Sequence, residues 1–460
     1  MNIRSVLIAN RGEIAVRIIR AAKTLGLRTI QIYSAADADS LAVRMADEAI
    51  AIGPATAKKS YLNIAAIIEA AQRTRADAVH PGYGFLAENA DFADAVVAAG
   101  MRFVGPSGAS IRLLGDKVAA RAEARKAGVP TVPGSGGRLE SAAAAAAVAA
   151  EIGFPVMIKA AAGGGGRGIR IIHEAKEFEG QFFQASAEAA AAFGDGGLYV
   201  EKVIQAARHV EVQILGDGTN FVHCFERECS LQRRRQKVWE EAPAFRLPPT
   251  VRDDLCASAV ELARSVGYVG AGTVEYLYDE ASQKFYFIEV NTRIQVEHPV
   301  TEMITGIDLV QEMLKVAGGA SLSVRQEDIV IAGHAIECRI NAEDPFKDFQ
   351  PWPGKVEKLT VPEGEGVRFD TLLFEGYTVP PYYDSLIGKL VVHGDTREQC
   401  LARLVDALRD LKVAGIPTTI PLHLALALDT EVLAGNVHTW FLEQWLEARF
   451  ATDSDRRKLG

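Results

Sequence analysis

Short apolar runs alternate with amphipathic stretches from Val6 to Leu114. The runs VLIA, TIQIY, DAVHPGYGF and MRFVGP are typical of strands, and the segment from Gly12 to about Leu25 predicts a helix. This alternation predicts a parallel sheet covered by helices. The first turn, NRGEIA, lacks the three spaced glycines of a dinucleotide fingerprint, so the pattern does not indicate NAD.

Two later changes of pattern divide the rest of the chain. The Gly- and Pro-rich segment VPTVPGSGGR begins a unit that contains the alanine-rich helix SAAAAAAVAAEIG and runs to about Val203. From residue 204 the runs HVEVQILG, GTVEYLYD, FYFIEV and HAIECRI predict an antiparallel sheet, followed from about residue 396 by a largely helical tail. We therefore predict an α/β protein that is α+β in its C-terminal half, with units at 1–115, 116–203 and 204–460.

Polar side chains occupy every second position of the segment FIEVNTRIQVEHP, namely Glu289, Asn291, Arg293, Gln295 and Glu297. Because alternate side chains of a strand share one face, we expect these side chains to converge. Together with Glu275 in GTVEYLYD, Glu289 and Asn291 offer the oxygen ligands that suit Mg²⁺ beside a nucleotide. Arg293 and Glu297 would then meet the acceptor of a phosphoryl group. The alternative is a solvated strand.

The glycine-rich segment VMIKAAAGGGGRGIRII matches G-x-G-x-x-G at Gly163, Gly165 and Gly168, but IRII after it indicates a strand and not a helix. We therefore expect a hairpin. Glycines let backbone N–H groups approach phosphate oxygens closely, and Lys159 would add a positive charge. A phosphate-covering lid is favoured over the alternative, a disordered surface hairpin.

Two further strands alternate in the same way and predict a shared polar cleft. His209, Glu211 and Gln213 alternate with apolar residues, as do Glu337, Arg339 and Asn341. Between these strands, QRRRQK forms a basic cluster that predicts either an anion pocket or a solvated loop. A lone histidine is more often structural, and a lone arginine more often forms a surface ion pair.

The composition limits the partners. The 460 residues are 48% hydrophobic and 24% charged, with a formal net charge of -9, so we expect neither nucleic acid nor a membrane as a partner. The N-terminal apolar run is too short for a signal peptide, and no stretch of 18 apolar residues occurs. The five cysteines fit neither a zinc site nor a disulfide framework, and a cytoplasmic protein is expected.

Several strings resemble those of one enzyme family along nearly the whole chain. They are HPGYGFLAEN, KAAAGGGGRG, EKVIQAARHVEVQ, QRRRQKVWEEAP, EVNTRIQVEHPVTEMITG, HAIECRINAEDP and GYTVPPYYDSLIGKL, and they resemble biotin carboxylase, an ATP-grasp enzyme. The resemblance implies an N-terminal α/β domain, a glycine-rich ATP-grasp lid and a C-terminal domain. It also implies that ATP phosphorylates bicarbonate, and that the carboxyl group then passes to biotin carried on another protein.

The resemblance implies a set of site residues. The ATP-binding positions are Lys117, Lys159, Gly165, Gly166, Glu201, Lys202, Val203, Ile204, His209 and Arg235, and Glu275, Glu289 and Asn291 would hold Mg²⁺ or Mn²⁺. Bicarbonate would meet Lys237, Arg293, Gln295, Val296 and Glu297, with Glu297 as the base. Tyr83, Gly84, Arg339 and Asp384 would lie near biotin. The catalytic set is Lys237, Arg293, Glu297 and Arg339, with Arg339 stabilising the biotin enolate.

Some positions depart from the family pattern. Arg235 stands where many relatives have histidine, and Trp239 and Phe245–Arg246 replace smaller or Pro-Gly residues. These departures predict altered packing near the anion pocket. They also leave open an ATP-grasp ligase with another acceptor, or a nucleotide-binding regulatory subunit without turnover.

The chain has no lysine in a hairpin resembling A-M-K-M, where family relatives attach biotin, and no length after residue 460 for a carboxyltransferase. We therefore expect a separate homodimeric subunit that works with a biotin carboxyl carrier protein and carboxyltransferase subunits. Acetyl-CoA carboxylase is the commonest such assembly. The final acceptor is chosen by the carboxyltransferase.

Overall fold

The structure is a computed structural model and describes residues 2–139, 141–160, 169–204 and 206–450. Its N-terminal part holds a parallel sheet in the order β3-β2-β1-β4-β5, as predicted. The strands are β1 (Ser5–Ile8), β2 (Arg28–Ser34), β3 (Glu48–Gly53), β4 (Ala78–His80) and β5 (Arg102–Phe103). The helices are α1 (Gly12–Thr24), α2 (Leu41–Met45), α3 (Ile64–Arg73), α4 (Ala90–Ala98) and α5 (Gly108–Gly115). Strand β1 is buried along its whole length because both faces of the sheet are covered.

A smaller antiparallel sheet follows, in the order β7-β6-β8. Its elements are α6 (Lys117–Lys126), α7 (Ala142–Ile152), β6 (Val156–Ala160), β7 (Ile169–Ile172), α8 (Ala175–Phe193) and β8 (Leu198–Lys202). The antiparallel pairing of β6 with β7 confirms the hairpin expected around the glycine-rich segment. Residues 161–168, and with them Gly163, Gly165, Gly166 and Gly168, lie outside the described residues.

The largest sheet is antiparallel, in the order β13-β12-β9-β10-β11-β14-β21-β19. Its strands are β9 (Ala207–Asp217), β10 (Phe221–Arg233), β11 (Gln236–Ala242), β12 (Val269–Asp279), β13 (Lys284–Asn291), β14 (His334–Asn341), β19 (Val367–Thr371) and β21 (Leu386–Gly394). Along β9 the apolar Val210, Val212 and Ile214 join the core, as the predicted alternation requires. The polar side chains between them face the opposite side, where the candidate site lies.

Helices and short ladders surround this sheet. The helices are α9 (Pro249–Ser265), α10 (His298–Thr305), α11 (Leu309–Ala317), α12 (Arg397–Asp410), α13 (Ile420–Ala427), α14 (Thr430–Leu433) and α15 (Phe441–Phe450). The short strands are β15 (Glu343–Asp344), β16 (Gln350–Pro351), β17 (Gly354–Lys355), β18 (Lys358–Thr360), β20 (Thr378–Val379) and β22 (Lys412–Ala414). In the described part of the chain, no helix combines the length and apolarity needed to cross a bilayer.

Candidate active site

Two acids face each other at one edge of the large sheet. Glu275 on β12 lies directly opposite Glu289 on β13. Glu275 Oε1 accepts hydrogen bonds from Asn291 Nδ2 at 2.9 Å and Gln295 Nε2 at 3.1 Å, and its Oε2 lies 3.0 Å from His209 Nε2. Glu289 Oε2 lies 3.5 Å from the ammonium nitrogen Nζ of Lys117. The carboxylate and amide oxygens suit a hard divalent cation, so these residues fit the predicted metal.

The strand that carries Glu289 is shorter than the sequence predicted. Strand β13 ends at Asn291, and residues 292–297 form an irregular segment that leads into α10. The prediction that five alternating side chains share one strand face is therefore wrong beyond Asn291. Three of the side chains still meet, because Arg293 donates to Gln295 Oε1 at 2.8 Å and to Asn291 Oδ1 at 3.1 Å.

Glu297 lies beneath two cations. Its Oε1 accepts from Lys237 Nζ at 2.6 Å and its Oε2 from Arg339 Nη2 at 2.9 Å. Burial by itself raises the pKa of Glu297, but Lys237, Arg339 and Arg227 lower it, and the resulting pKa lies well below the usual range. Glu297 is fully buried, whereas Lys237 and Arg339 both line the central cavity.

Lys237 connects Glu297 to the predicted metal ligands Glu275, Glu289 and Asn291, which are called the metal corner below. Its ammonium donates to Glu275 Oε1 at 2.9 Å and to Glu297 Oε1 at 2.6 Å, and it also pairs with Glu211. Burial lowers the pKa of Lys237, but these three carboxylates outweigh it and raise the pKa well above the usual value. Lys237 is therefore a permanently charged group beside the place where an anion would bind.

The predicted nucleotide residues lie on the lid side of this corner. Lys159 on β6 pairs with Glu201 on β8, and Lys117 pairs with Glu289. The Lys202 ammonium instead donates to the Gly153 carbonyl at 2.8 Å, so its side chain is held within the lid. Val203 and Ile204 follow β8, and Arg235 lines the central cavity.

The predicted biotin residues line the same cavity of about 630 Å³, together with residues of the metal corner. Tyr83 and Gly84 lie on the loop after β4, and Asp384 precedes β21. Asn10 Nδ2 donates to the carbonyls of Pro81 and Tyr83 at 2.7 Å each, which fixes this loop. The cavity thus joins the acidic corner of Glu275 and Glu289, the cations Lys237 and Arg293, and a mouth lined by Tyr83 and Arg339.

Comparisons with known proteins give the family. The chain matches models described as "Biotin carboxylase, N-terminal domain" at residues 2–111, "Carbamoyl-phosphate synthase L chain, ATP binding domain" at 116–325 and "Biotin carboxylase C-terminal domain" at 337–444. It is 52% identical to "Biotin carboxylase 1" of Bacillus subtilis, over 96% of this chain and 99% of that protein. The chain belongs to the biotin carboxylase family.

Further relatives extend this assignment. The "Biotin carboxylase" of Pseudomonas aeruginosa is 53% identical over 96% of this chain and 99% of its own. A crystal structure of a biotin carboxylase complex from Campylobacter jejuni, 48% identical, superposes with a TM-score of 0.91 over 96% of this chain and 99% of that one. A biotin carboxylase domain dimer from Hydrogenobacter thermophilus 2-oxoglutarate carboxylase, 46% identical, gives 0.89 over 97% and 98%.

The structure adds buried partners to the residues that resemble other biotin carboxylases. Arg227 is fully buried and donates to Glu211 Oε1 at 2.7 Å and Gln213 Oε1 at 2.8 Å. Glu88, from the N-terminal domain, accepts from Arg293 Nε at 3.0 Å. Alternation along β9 pointed to Glu211 and Gln213, but nothing local in the sequence marks Arg227 or Glu88, because their partners lie on other elements.

Two departures from the biotin carboxylase pattern lie away from the cavity. A shift of register between β10 and β11 turns Trp239 to the face opposite Lys237, into the core, where its Nε1 donates to Glu241 Oε1 at 3.0 Å. The Phe245 ring lies 4.6 Å from the Arg397 guanidinium, and neither aromatic residue lines the cavity. The prediction that these residues alter packing near the anion pocket is therefore wrong, and only Arg235 remains at the cavity.

Trp239→Ala is expected to lower the free energy of unfolding by about 3–5 kcal/mol, because it leaves a cavity in the core. Phe245→Ala is the matched control. Since the Phe245 side chain is 45% exposed, we expect a loss of only about 1 kcal/mol, mainly its contact with Arg397. Urea unfolding of both variants checks this order, and equal losses would contradict the placement of Trp239.

Glu289→Gln is expected to raise the Mg²⁺ concentration for half-maximal ATP cleavage at least about tenfold, a loss of about 1.4 kcal/mol. The amide keeps the shape of the side chain but loses the charge that attracts a hard cation. Asp279→Asn, at the other end of the same hairpin, should leave the Mg²⁺ requirement unchanged. A Mg²⁺ titration of ADP release at saturating ATP distinguishes the two variants.

Proposed function

We propose that this chain carboxylates biotin on a separate carrier protein, using ATP and bicarbonate. The observation that supports this proposal is the position of Glu297 under Lys237 and Arg339, at 2.6 and 2.9 Å, because these two cations line the cavity that also contains Glu275 and Glu289. A base, an anion-binding cation and a metal corner thus lie side by side. Phosphoryl transfer needs this arrangement to bring a nucleotide and an anionic acceptor together.

In the proposed complex, ATP lies between the lid and the metal corner. Lys117, Lys159 and His209 contact the nucleotide, and phosphate binding by the glycine-rich segment stays a prediction from the sequence. Glu275, Glu289 and Asn291 would hold Mg²⁺, which neutralises phosphate charge when bound. Arg235 adds a further positive charge near Lys159. The amide groups of residues 201–204 then lie beside the adenine.

Bicarbonate is the proposed acceptor in the first step. Lys237, Arg293, Gln295 and the backbone of Val296 hold the anion, and Glu297 accepts its proton. The low pKa of Glu297 keeps the carboxylate ionised, but the cations that lower this pKa also weaken Glu297 as a base. Both Glu297 oxygens are occupied by cations in this structure, so a cation contact must give way when bicarbonate reaches the carboxylate. A bicarbonate oxygen then attacks the γ-phosphorus, ADP leaves, and carboxyphosphate forms.

Biotin is the proposed acceptor in the second step. Carboxyphosphate breaks its bridging C–O bond to give CO₂ and phosphate, and the phosphate takes the proton from the biotin ring nitrogen. The nitrogen then bonds to CO₂. Arg339 stabilises the negative ureido oxygen that forms as the proton leaves, a charge absent from the ground state. Tyr83, Gly84 and Asp384 would contact the biotin at the mouth of the cavity.

The partners follow from this proposal. Biotin comes from a biotin carboxyl carrier protein, and carboxyltransferase subunits use the product. The likeness to a biotin carboxylase domain dimer supports a homodimer, and a cytoplasmic location fits the composition. We propose an acyl-CoA carboxylase, acetyl-CoA carboxylase first, as the assembly. Solved relatives also include the biotin carboxylase subunit of a pyruvate carboxylase, so the final acceptor is a property of the partner.

The test is ADP release by the purified chain with Mg²⁺, ATP and free biotin, with and without bicarbonate. We expect release that depends on bicarbonate and rises with biotin. ATP turnover with another acceptor and none with biotin would instead indicate a different ATP-grasp ligase. ATP binding without any turnover would indicate a regulatory subunit.

A further inference from the structure

Arg339 lies between two fully buried carboxylates. Its Nε donates to Glu240 Oε1 at 2.6 Å, and its Nη2 donates to Glu297 Oε2 at 2.9 Å. Glu240 and Glu297 have no exposed side-chain surface, whereas Arg339 keeps 19% exposure and lines the cavity. The Nε–Nη2 edge of the guanidinium therefore lies against Glu240 Oε1, and Nη2 also meets the proposed base.

The two carboxylates have different positions relative to the reaction. Glu297 is the proposed proton acceptor, so its charge disappears when bicarbonate loses its proton. Neither carboxylate lines the cavity, but Glu297 contacts both cavity cations, Lys237 and Arg339, whereas Glu240 on β11 reaches the cavity through Arg339. When Glu297 is protonated, the attraction between Glu297 and Arg339 weakens, but the attraction between Glu240 and Arg339 persists.

We propose that Glu240 is a positioning residue for the biotin step: its carboxylate holds the Arg339 guanidinium in place while Glu297 gains and loses its proton. This inference rests on the proposed function. As Nη2 is released from Glu297, one of its N–H groups becomes free to meet the negative oxygen of biotin, while the Nε–Nη2 edge stays against Glu240. Without Glu240, the arginine would lose its fixed contact at the moment when its position matters most.

The surroundings of Glu240 leave its carboxylate dependent on Arg339. Glu240 lies opposite Glu337 of β14, and Glu240 Oε2 and both Glu337 oxygens have no hydrogen-bond partner among the described residues. Burial raises the pKa of Glu240 to about 7, with Arg339 lowering it and Glu297 raising it. Burial raises the pKa of Glu337 well above the usual value, although Lys389 opposes this. At about pH 8, Glu240 is therefore mostly ionised, and the Arg339 guanidinium is its hydrogen-bond partner.

The test compares two isosteric variants at about pH 8, where Glu240 is mostly ionised. Glu240→Gln removes the charge that holds Arg339, and Glu337→Gln alters a neighbouring buried acid whose oxygens make no hydrogen bond to Arg339. For Glu240→Gln we expect biotin-stimulated ADP release to fall about 10- to 100-fold, the range typical when the outer partner of a functional group is lost. Bicarbonate-dependent ADP release without biotin should stay within about threefold, since Lys237 still holds Glu297. Glu337→Gln should change neither rate by more than about twofold.

Each outcome has a clear reading. A folding defect would lower the rates of ADP release with and without biotin together. Equal losses of these two rates in Glu240→Gln would overturn the proposal, and so would two unchanged rates. If Glu240→Gln does not fold, Glu240→Asp keeps the charge but shortens its reach, and the same selective loss is expected at smaller size. If the unaltered chain shows no bicarbonate-dependent ADP release, the proposed function itself fails. A selective loss in the biotin rate supports the role of Glu240.

Discussion

Glu297→Gln is expected to lower bicarbonate-dependent ADP release about 10²- to 10⁴-fold, the usual contribution of a positioned base. The amide has nearly the shape of the acid but cannot accept the bicarbonate proton. It also leaves the buried Lys237 without one of its carboxylate partners. Because proton removal precedes attack on the nucleotide, the rates with and without biotin should fall together. Initial rates of ADP release at saturating bicarbonate measure this effect.

The matched control for this variant is Glu312→Gln. Glu312 is an equally buried acid on α11 that accepts from Ser323 Oγ at 2.6 Å and Lys315 Nζ at 2.8 Å, and it does not line the cavity. Activity in this control should stay within about twofold of the unaltered chain. A Glu297→Gln variant that folds and keeps its full rate would contradict the assignment of Glu297 as the base.

Arg339→Met is expected to lower biotin-stimulated ADP release about 10²- to 10³-fold, the usual cost of losing one group that stabilises a developing negative charge. Methionine fills part of the space but carries no charge for the biotin oxygen. Bicarbonate-dependent ADP release without biotin should be reduced far less, because Lys237 and Arg293 remain to bind the anion. The two rates, measured on one preparation, give the comparison.

The same variant has an expected effect on the pH profile. Arg339 lowers the pKa of Glu297, so its removal raises that pKa and the base becomes protonated at a higher pH than before. The acid side of the profile without biotin should therefore move to higher pH. Arg339→Lys keeps the charge but loses the planar guanidinium. Its pH profile should therefore stay closer to that of the unaltered chain than its rate of biotin-stimulated ADP release does. Identical losses in Met and Lys variants at every pH would contradict the proposed role.

Alternation of polar and apolar residues predicted the shared cleft because it is a local property of each strand. The cleft is confirmed for His209, Arg339 and Asn341, which line the cavity. It is wrong for Glu211, Gln213 and Glu337, which are fully buried and do not line it, although Glu211 still pairs with Lys237. As a strand prediction, the alternation failed after Asn291. Ile294 is buried in the core, as a strand residue would be, but its segment pairs with no neighbouring strand. A buried loop can carry the same alternation of polar and apolar residues as a strand.

Other parts of the site depend on distant contacts that a local pattern does not contain. Whether Trp239 faces the anion pocket or the core is decided by one register shift between β10 and β11. Glu240 and Glu297 are separated by more than fifty residues, yet both contact one guanidinium. The family resemblance supplied the identity of the acceptor, while the three-dimensional pairing supplied the partners that hold Arg339. The domain boundaries near residues 115 and 203 remain predictions.

Transfer of oxygen from bicarbonate to phosphate tests the central claim most directly. The purified chain would be given ATP, Mg²⁺, biotin and bicarbonate labelled with heavy oxygen, and the released phosphate would be analysed by mass spectrometry. If ATP phosphorylates bicarbonate, the attacking oxygen stays on phosphorus when carboxyphosphate breaks, so each phosphate carries one labelled oxygen. Phosphate without label, released at the rate of biotin carboxylation, would contradict the proposal that bicarbonate is the phosphoryl acceptor.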